Sequence, residues 1–262
     1  MATIKQTLTR VNNGETYYAK VFTVNPKERV NLRADLAYVS AVPMAFPAKP
    51  ESEADYTLYR SYGAGKSTFT APEDGWYKII VYGPSGNGGD GDNDDKSGVG
   101  AFAAGGGGGG GGAVAISIVK MNKDDTVVFS NASVGNTSTA TFNATAGERY
   151  SNITVTSGEA GDDGKVYVGG YFGASYARGG TGGNGGEATG GTYNYNGYKG
   201  RNGGEESSED ADDYVSVEGG ERGSPGYTGG RYGGTGGDER NSGDDGQNGY
   251  SEVYRGNTNV VA

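Results

Sequence analysis

Glycine in steps of three constrains this chain more than any other feature. Across residues 158–249 about one residue in three is glycine, against roughly 7% in ordinary chains. The steps run through Gly158, Gly161 and Gly164, then Gly179, Gly182 and Gly185, then Gly197, Gly200 and Gly203. They continue from Gly220 to Gly229, shift by one residue at Gly230, and close with Gly243, Gly246 and Gly249. A period of three belongs to neither an α-helix nor a β-strand. It is the period of the extended left-handed polyproline-II helix, which has no internal hydrogen bonds. Collagen needs abundant proline, but this chain has 7 prolines and only Pro225 lies in the stretch. The expected alternative is a bundle of short polyglycine-II helices, whose backbones approach closely and bond sideways to one another. A flexible glycine-rich coil is the competing reading.

The flanking strands favour order. The segment 75–82 (Gly-Trp-Tyr-Lys-Ile-Ile-Val-Tyr) is a clear strand that runs into Gly83, Gly86 and Gly89. Eight consecutive glycines, 105–112, lead straight into the strand-like run 113–119. Further strands are expected at 17–24, 56–62, 126–130, 138–142 and 153–156, with a closing strand at 257–262. Residues 30–42 fit either a strand pair or a short helix. A random tether would not need strong strands at both of its ends.

Counting out-and-back excursions gives a topology. Glycine runs leave the strands at 83–91, 158–164, 197–204 and 230–237, and return at 105–112, 179–186, 219–229 and 243–249. Four loops then share the far end, near 92–104, 165–178, 205–218 and 238–242, while 187–196 lies at the near end. The fold class is therefore all-β: a β-sandwich whose glycine-rich excursions form a polyglycine-II bundle, with almost no α-helix. Residues 1–62 form a β-rich attachment region and 63–262 the glycine-rich domain.

The composition excludes several chemistries. The 262 residues include no Cys and no His, which removes disulfides, thiol chemistry, Cys/His zinc sites and histidine acid–base catalysis. A net charge of −10 argues against nucleic-acid partners, and no run reaches membrane-spanning length. The first ten residues lack the apolar region of a secretory signal, so export by lysis is expected. Gly63-Ala64-Gly65-Lys66-Ser67-Thr68 imitates the end of a phosphate-binding loop. Arg60 stands where that pattern needs glycine, and a strand follows in place of a helix, so a turn before a strand is the reading.

The block 69–83, Phe-Thr-Ala-Pro-Glu-Asp-Gly-Trp-Tyr-Lys-Ile-Ile-Val-Tyr-Gly, is followed by a glycine tract, an Ala-Val-Ala-Ile-Ser-Ile strand and Asp125-Thr126-Val127. It resembles the glycine-rich domains of bacteriophage and prophage tail proteins, over roughly 69–249. The octaglycine tract and Tyr-rich loops also resemble the tip adhesins of T-even-type long tail fibres, whereas the first 60 residues do not resemble their attachment domain. The resemblance implies a virion or phage-like tail component, assembled in the bacterial cytoplasm and extracellular after host lysis. It would recognise a bacterial surface receptor, mounted on other tail proteins, with a homotrimeric mount as the family expectation.

Tyrosine gives large amphipathic contact area at little entropic cost, and the chain has 20 of them. The far-end loops carry Phe102, Tyr167, Tyr171, Phe172, Tyr176 and Tyr214. Phe102, Tyr171, Phe172, Tyr176 and Tyr214, with the acidic Asp210, Asp212 and Asp213, are the expected receptor-binding residues. The alternative is that such rings cap a bundle that has few side chains of its own. Tyr193 and Tyr195 are as dense but fall at the near end. Further acids lie at Asp92, Asp94, Asp95, Glu205, Glu206, Glu209, Asp238 and Glu239. Calcium is the cofactor such carboxylates suggest, yet the Asp90-to-Asp94 start of a calcium loop has Asp95 and Ala101 where glycine and glutamate are required. Solvated acidic loops and no cofactor are expected. Two carboxylates suffice for glycoside hydrolysis, but no apolar cleft is legible to raise a pKa, so the chain reads as non-enzymatic. A structural tail component without receptor binding, or an ice-binding polyglycine-II protein, are the rival functions.

Overall fold

The computed structural model describes residues 2–4, 17–19, 22–24, 39–41, 49–50, 52, 55–94, 101–144, 150–169, 175–208, 215–227, 229–238 and 241–257. They fall into two units, Met1–Pro47 and Ala48–Ala262. The all-β expectation holds, since the regular elements among the described residues are all strands.

The first unit contains β1 (Ala2–Ile4), β2 (Tyr17–Ala19), β3 (Phe22–Val24) and β4 (Val39–Ala41). β1 pairs with β3 and β2 with β4, both antiparallel. Two short strands thus replace the single one expected at 17–24, and the end of the ambiguous 30–42 stretch is strand.

The second unit begins before the expected boundary at 62/63. Its strands are β5 (Tyr56–Tyr62), β6 (Gly65–Thr70), β7 (Gly75–Tyr82), β8 (Asp92–Asp94), β9 (Ala101–Ala104), β10 (Val114–Met121), β11 (Thr126–Asn131), β12 (Ser138–Asn143) and β13 (Ile153–Val155). β14 (Lys165–Tyr167), β15 (Tyr176–Arg178), β16 (Ala188–Thr189), β17 (Tyr193–Tyr195), β18 (Glu205–Ser208) and β19 (Tyr250–Gly256) complete it. Two antiparallel five-stranded sheets are ordered β17-β10-β7-β19-β5 and β16-β13-β12-β11-β6. β5 belongs here because it pairs along β19. The Lys66–Ser67–Thr68 mimic of a phosphate loop lies within β6, paired with β11, and not in the turn expected for it. The last described strand is β19, so the chain re-enters the sheet earlier than expected; residues 258–262 lie outside the described set.

Alternation along the strands builds one core from both sheets. Tyr77, Ile79 and Val81 of β7, Val119 and Met121 of β10 and Val253 of β19 pack with Phe69, Val127, Phe129, Ile153 and Val155 of the other sheet. Each fully buried Val, Ile or Phe contributes about 1.5–3 kcal/mol. The alternate residues Ile80, Tyr82, Val114 and Ile116 form a second cluster under Tyr195, Tyr227, Tyr250 and Tyr254. That aromatic cover is why both faces of β7 are buried.

Between these sheets and the far loops run eight glycine-rich segments: I (83–91), II (105–112), III (158–164), IV (179–186), V (197–204), VI (218–226), VII (230–237) and VIII (241–249). Their hydrogen bonds step by three. In segment II the amides of Gly105, Gly108 and Gly111 donate to Gly204, Arg201 and Tyr198 of V; those of Gly106, Gly109 and Gly112 donate to Gly237, Gly234 and Arg231 of VII; and those of Gly107 and Gly110 donate to Asp162 and Glu159 of III. Its carbonyls accept from I, IV and VI by the same step, at Gly89 to Gly107, Gly180 to Gly105 and Gly220 to Gly106. Segments I, III, IV, V, VI and VII also bond in turn to their neighbours, closing a ring around II. Segment VIII lies outside the ring, against I and VII.

The ring explains the octaglycine. A Cβ on Gly106 would stand 2.0 Å from the carbonyl oxygen of Gly89, one on Gly107 2.1 Å from that of Thr181, and one on Gly108 2.1 Å from that of Glu221. Three successive side-chain directions meet three different backbones, so no position of II has room for a side chain. Segment III meets II with one row only, Gly158, Gly161 and Gly164, and its intervening Glu159, Ala160, Asp162 and Asp163 are exposed. The bond registers make II antiparallel to I, III, V and VII and parallel to IV and VI, which is the out-and-back order expected from sequence. The reversal between VI and VII uses Gly229 at φ 84°, a left-handed conformation costly for other residues.

Two outcomes follow. Gly110→Ala places a Cβ 1.8 Å from the Asn184 carbonyl oxygen, whereas Gly63 has open space at this position. Gly110→Ala should destabilise by about 3 kcal/mol and lower Tm by about 6–12 °C, with Gly63→Ala within about 0.5 kcal/mol of wild type. Thermal melts check both. Burial first, then the charges of Tyr59 and Asp74, push Tyr77 up to about 12. Its stabilising effect is complete below about pH 10, where the unfolded phenol is still neutral, and is lost as pH rises towards 12. Denaturant midpoints between pH 9 and 12 should fall less steeply for Tyr77→Phe than for wild type, after a small loss at neutral pH from the missing bond to the Glu73 carbonyl.

Candidate binding surface at the far end of the glycine bundle

Segments I, III and V each end in a short strand, and these strands gather in one place. β8, β9 and β18 form a three-stranded antiparallel sheet with β9 central, and β14 and β15 form a separate two-stranded ladder. β14 packs against β8 and β9, and β15 against β9 and β18. Small side chains permit this stacking, because Ala101, Ala103 and Ala104 of β9 are fully buried. At the turn from VII to VIII the Gly91 amide donates to the Asn241 carbonyl, which sets that loop at the same end.

Acidic residues here hold backbone. The Asp92 carboxylate accepts from the Val166 amide at 2.9 Å, Glu205 from Gly179 at 3.1 Å and Glu206 from Ser216 at 3.2 Å. Asp90 accepts from Gly243 at 3.0 Å. Of these carboxylates Asp90, Glu205 and Glu206 are exposed and Asp92 is half-buried, and each also satisfies an amide of a neighbouring segment. Among the described residues no group of three or more acids could hold a metal ion.

The ladder carries the exposed chemistry. Its register pairs Lys165 with Arg178, Val166 with Ala177 and Tyr167 with Tyr176. Alternation therefore puts Lys165, Arg178, Tyr167 and Tyr176 on one face, all exposed. The two tyrosines stack, with ring centroids 4.7 Å apart and an interplanar angle of 24°. Beside them a concavity of about 430 Å³ is lined by Asp162, Asp163, Lys165, Tyr167, Arg178 and Thr181. The Thr181 hydroxyl donates to Asp162, and the Asp90 amide donates to Asp163 at 3.0 Å.

Of the expected receptor-binding residues, Tyr176 is exposed on this face. Phe102 is a correction: at 7% exposure it is packed in β9 between Ser207 and Asp94, so it supports the sheet and offers no contact surface. Tyr171, Phe172, Tyr214, Asp210, Asp212 and Asp213 lie outside the described residues. Sequence reasoning passed over Lys165 and Arg178, although the mirrored triplets Lys165-Val166-Tyr167 and Tyr176-Ala177-Arg178 are the pattern of a short ladder with like residues opposed.

Tyr193 and Tyr195 lie in β17, at the near end as expected, opposite Ile116 and Val114. There Tyr82 and Tyr250 stack at 4.0 Å, and the hydroxyls of Tyr82 and Tyr254 both donate to Glu252. Burial, then the charges of Tyr250 and Glu252, drives Tyr82 far above the ordinary phenol range. The Arg231 guanidinium lies 4.2 Å from the centre of the Tyr250 ring. These rings close the sheet face where segments VI and VII turn.

Asp92→Ala should leave Tm nearly unchanged and loosen the ladder. A bond to a charged group is worth about 1.5–3 kcal/mol, so hydrogen exchange at Val166 should accelerate about tenfold or more while the amides of β7 stay protected.

Among the described residues no helix is long and apolar enough to cross a membrane. In comparison with known proteins, the sequence matches no protein-family model and no curated protein.

Proposed function

We propose that this chain is a non-enzymatic receptor-binding protein at the tail tip of a phage or phage-like particle. In this reading the two five-stranded sheets form a β-sandwich, the glycine segments are polyglycine-II helices, and the far end meets a bacterial surface receptor. The Met1–Pro47 unit joins other tail proteins, in a homotrimeric mount. The protein is assembled in the bacterial cytoplasm and acts outside the cell after lysis.

The observation that carries the reading is the gathering of chain reversals at one end. Short strands from separate excursions pack together there, and they present the stacked Tyr167–Tyr176 pair beside a concavity. Exposed tyrosines on a rigid scaffold are the usual material of binding surfaces. Each excursion is held mainly by backbone bonds to its neighbours, reinforced by side chains such as Asn87 and Asp90, so the loop beyond it can vary with little effect on the scaffold.

Labelled protein should bind cells of a susceptible strain within a panel. Tyr167→Ala/Tyr176→Ala should weaken that binding at least tenfold, with Tyr193→Ala/Tyr195→Ala near wild type. Unchanged binding by the first variant and loss in the second would move the surface to the near end. No binding to a strain that the particle itself adsorbs to would favour a structural tail component.

A further inference from the structure

The far-end ladder opposes two cations. Lys165 and Arg178 are direct cross-strand partners on the exposed face, in a chain of net charge −10. Like charges placed directly opposite are destabilising. Folding stability alone would not select this pair. Among the described residues neither side chain has an ion-pair partner. Asp162 and Asp163 line the same concavity, but Asp162 accepts the Thr181 hydroxyl and Asp163 the Asp90 amide.

We infer that this face binds a hexose bearing an anionic group, as a unit of a surface glycan, between the Lys165/Arg178 pair and the Tyr167–Tyr176 stack. The inference rests on the receptor-binding reading and names its ligand class. Arg presents a planar fork that matches a carboxylate or phosphate, and Lys adds a point charge. One residue along the same face, the half-exposed ring of Tyr167, at 43%, offers a flat surface for the C–H face of a sugar ring. Asp162 and Thr181 line the concavity, where the Thr181 oxygen and the other Asp162 carboxylate oxygen would accept from ring hydroxyls. The size agrees: about 430 Å³ lies at the small-ligand end of pocket volumes. A stable protein partner would need about 800 Å² on each side, far more than a ladder of two three-residue strands presents.

The full chain is tested on immobilised oligogalacturonate and phosphomannan oligosaccharide, each beside its neutral counterpart, methyl-esterified or dephosphorylated. Binding to at least one charged glycan is expected, and which one identifies carboxylate or phosphate as the anion. The neutral counterparts, Lys165→Gln/Arg178→Gln and Tyr167→Ala/Tyr176→Ala should each bind at least tenfold more weakly. Affinity should fall as salt rises. Lys165→Gln/Arg178→Gln should melt at or above the wild-type temperature, which separates lost binding from lost folding. Equal binding to charged and neutral glycans, binding to neither, or full binding by Lys165→Gln/Arg178→Gln would overturn the inference. If that last variant still binds host cells like wild type, the inference fails and the receptor reading stands; if wild type binds no host cells, the receptor reading fails first.

Discussion

A backbone amide or carbonyl buried without a partner costs about 1–3 kcal/mol, and every segment in the glycine bundle is mostly backbone. Sideways bonding between segments is the interaction on which the second unit depends. Segment II shows it in the purest form: all eight amides of residues 105–112 donate to surrounding segments, and each direction a side chain could take is filled by a carbonyl. The bonds return only about 0.5–1.5 kcal/mol each, against glycine's large loss of freedom on folding. The bundle therefore needs fixed ends, and the shared core of the two sheets supplies them through β7, β10, β13 and β19, which run directly into or out of segments.

That arrangement separates scaffold from surface. Side chains are absent where segments touch and appear where they face solvent, as with Tyr198 at 64% exposure in segment V. Others reinforce neighbouring segments, as the half-buried Asn87 and the buried Ser85 of segment I accept the Gly246 and Gln247 amides of segment VIII. The far end is the place where the chain regains ordinary strands, and there Asp92, Glu205 and Glu206 tie the ladder and its neighbours to the bundle by single charged bonds. Tyrosines at the two ends differ accordingly: Tyr82 and Tyr250 are stacked into a sheet face, while Tyr167 and Tyr176 stack in the open.

Much of the scaffold was legible because its causes are local in sequence. The step of three marks the rows that meet backbone, the unbroken run 105–112 marks the segment enclosed on all sides, and the phase shift at Gly229–Gly230 marks a reversal. Strands β7, β10, β11, β12 and β13 declared themselves by runs of apolar and β-forming residues. β6 and β19 did not, because Gly65-Lys-Ser-Thr-Phe-Thr and Tyr250-Ser-Glu-Val-Tyr-Arg-Gly are polar sheet strands whose pairing is decided by neighbours far away in the chain. The far end was located but misread in detail. Phe102 reads as surface in the sequence because an aromatic in a loop invites it, whereas β14, β15 and β18 pack around its strand. The Lys165/Arg178 opposition depends on register, which no single stretch of sequence encodes.

The glycine segments form an ordered, mutually bonded bundle and not a set of flexible loops. Amide hydrogen exchange across residues 105–112 tests it most directly, since these protons have no partner inside their own segment. Enclosure by the ring predicts protection comparable to that of the β7 and β10 amides, lost only with unfolding of the second unit. Exchange of those glycine amides at the rate of an unstructured peptide, with β7 and β10 still protected, would contradict it.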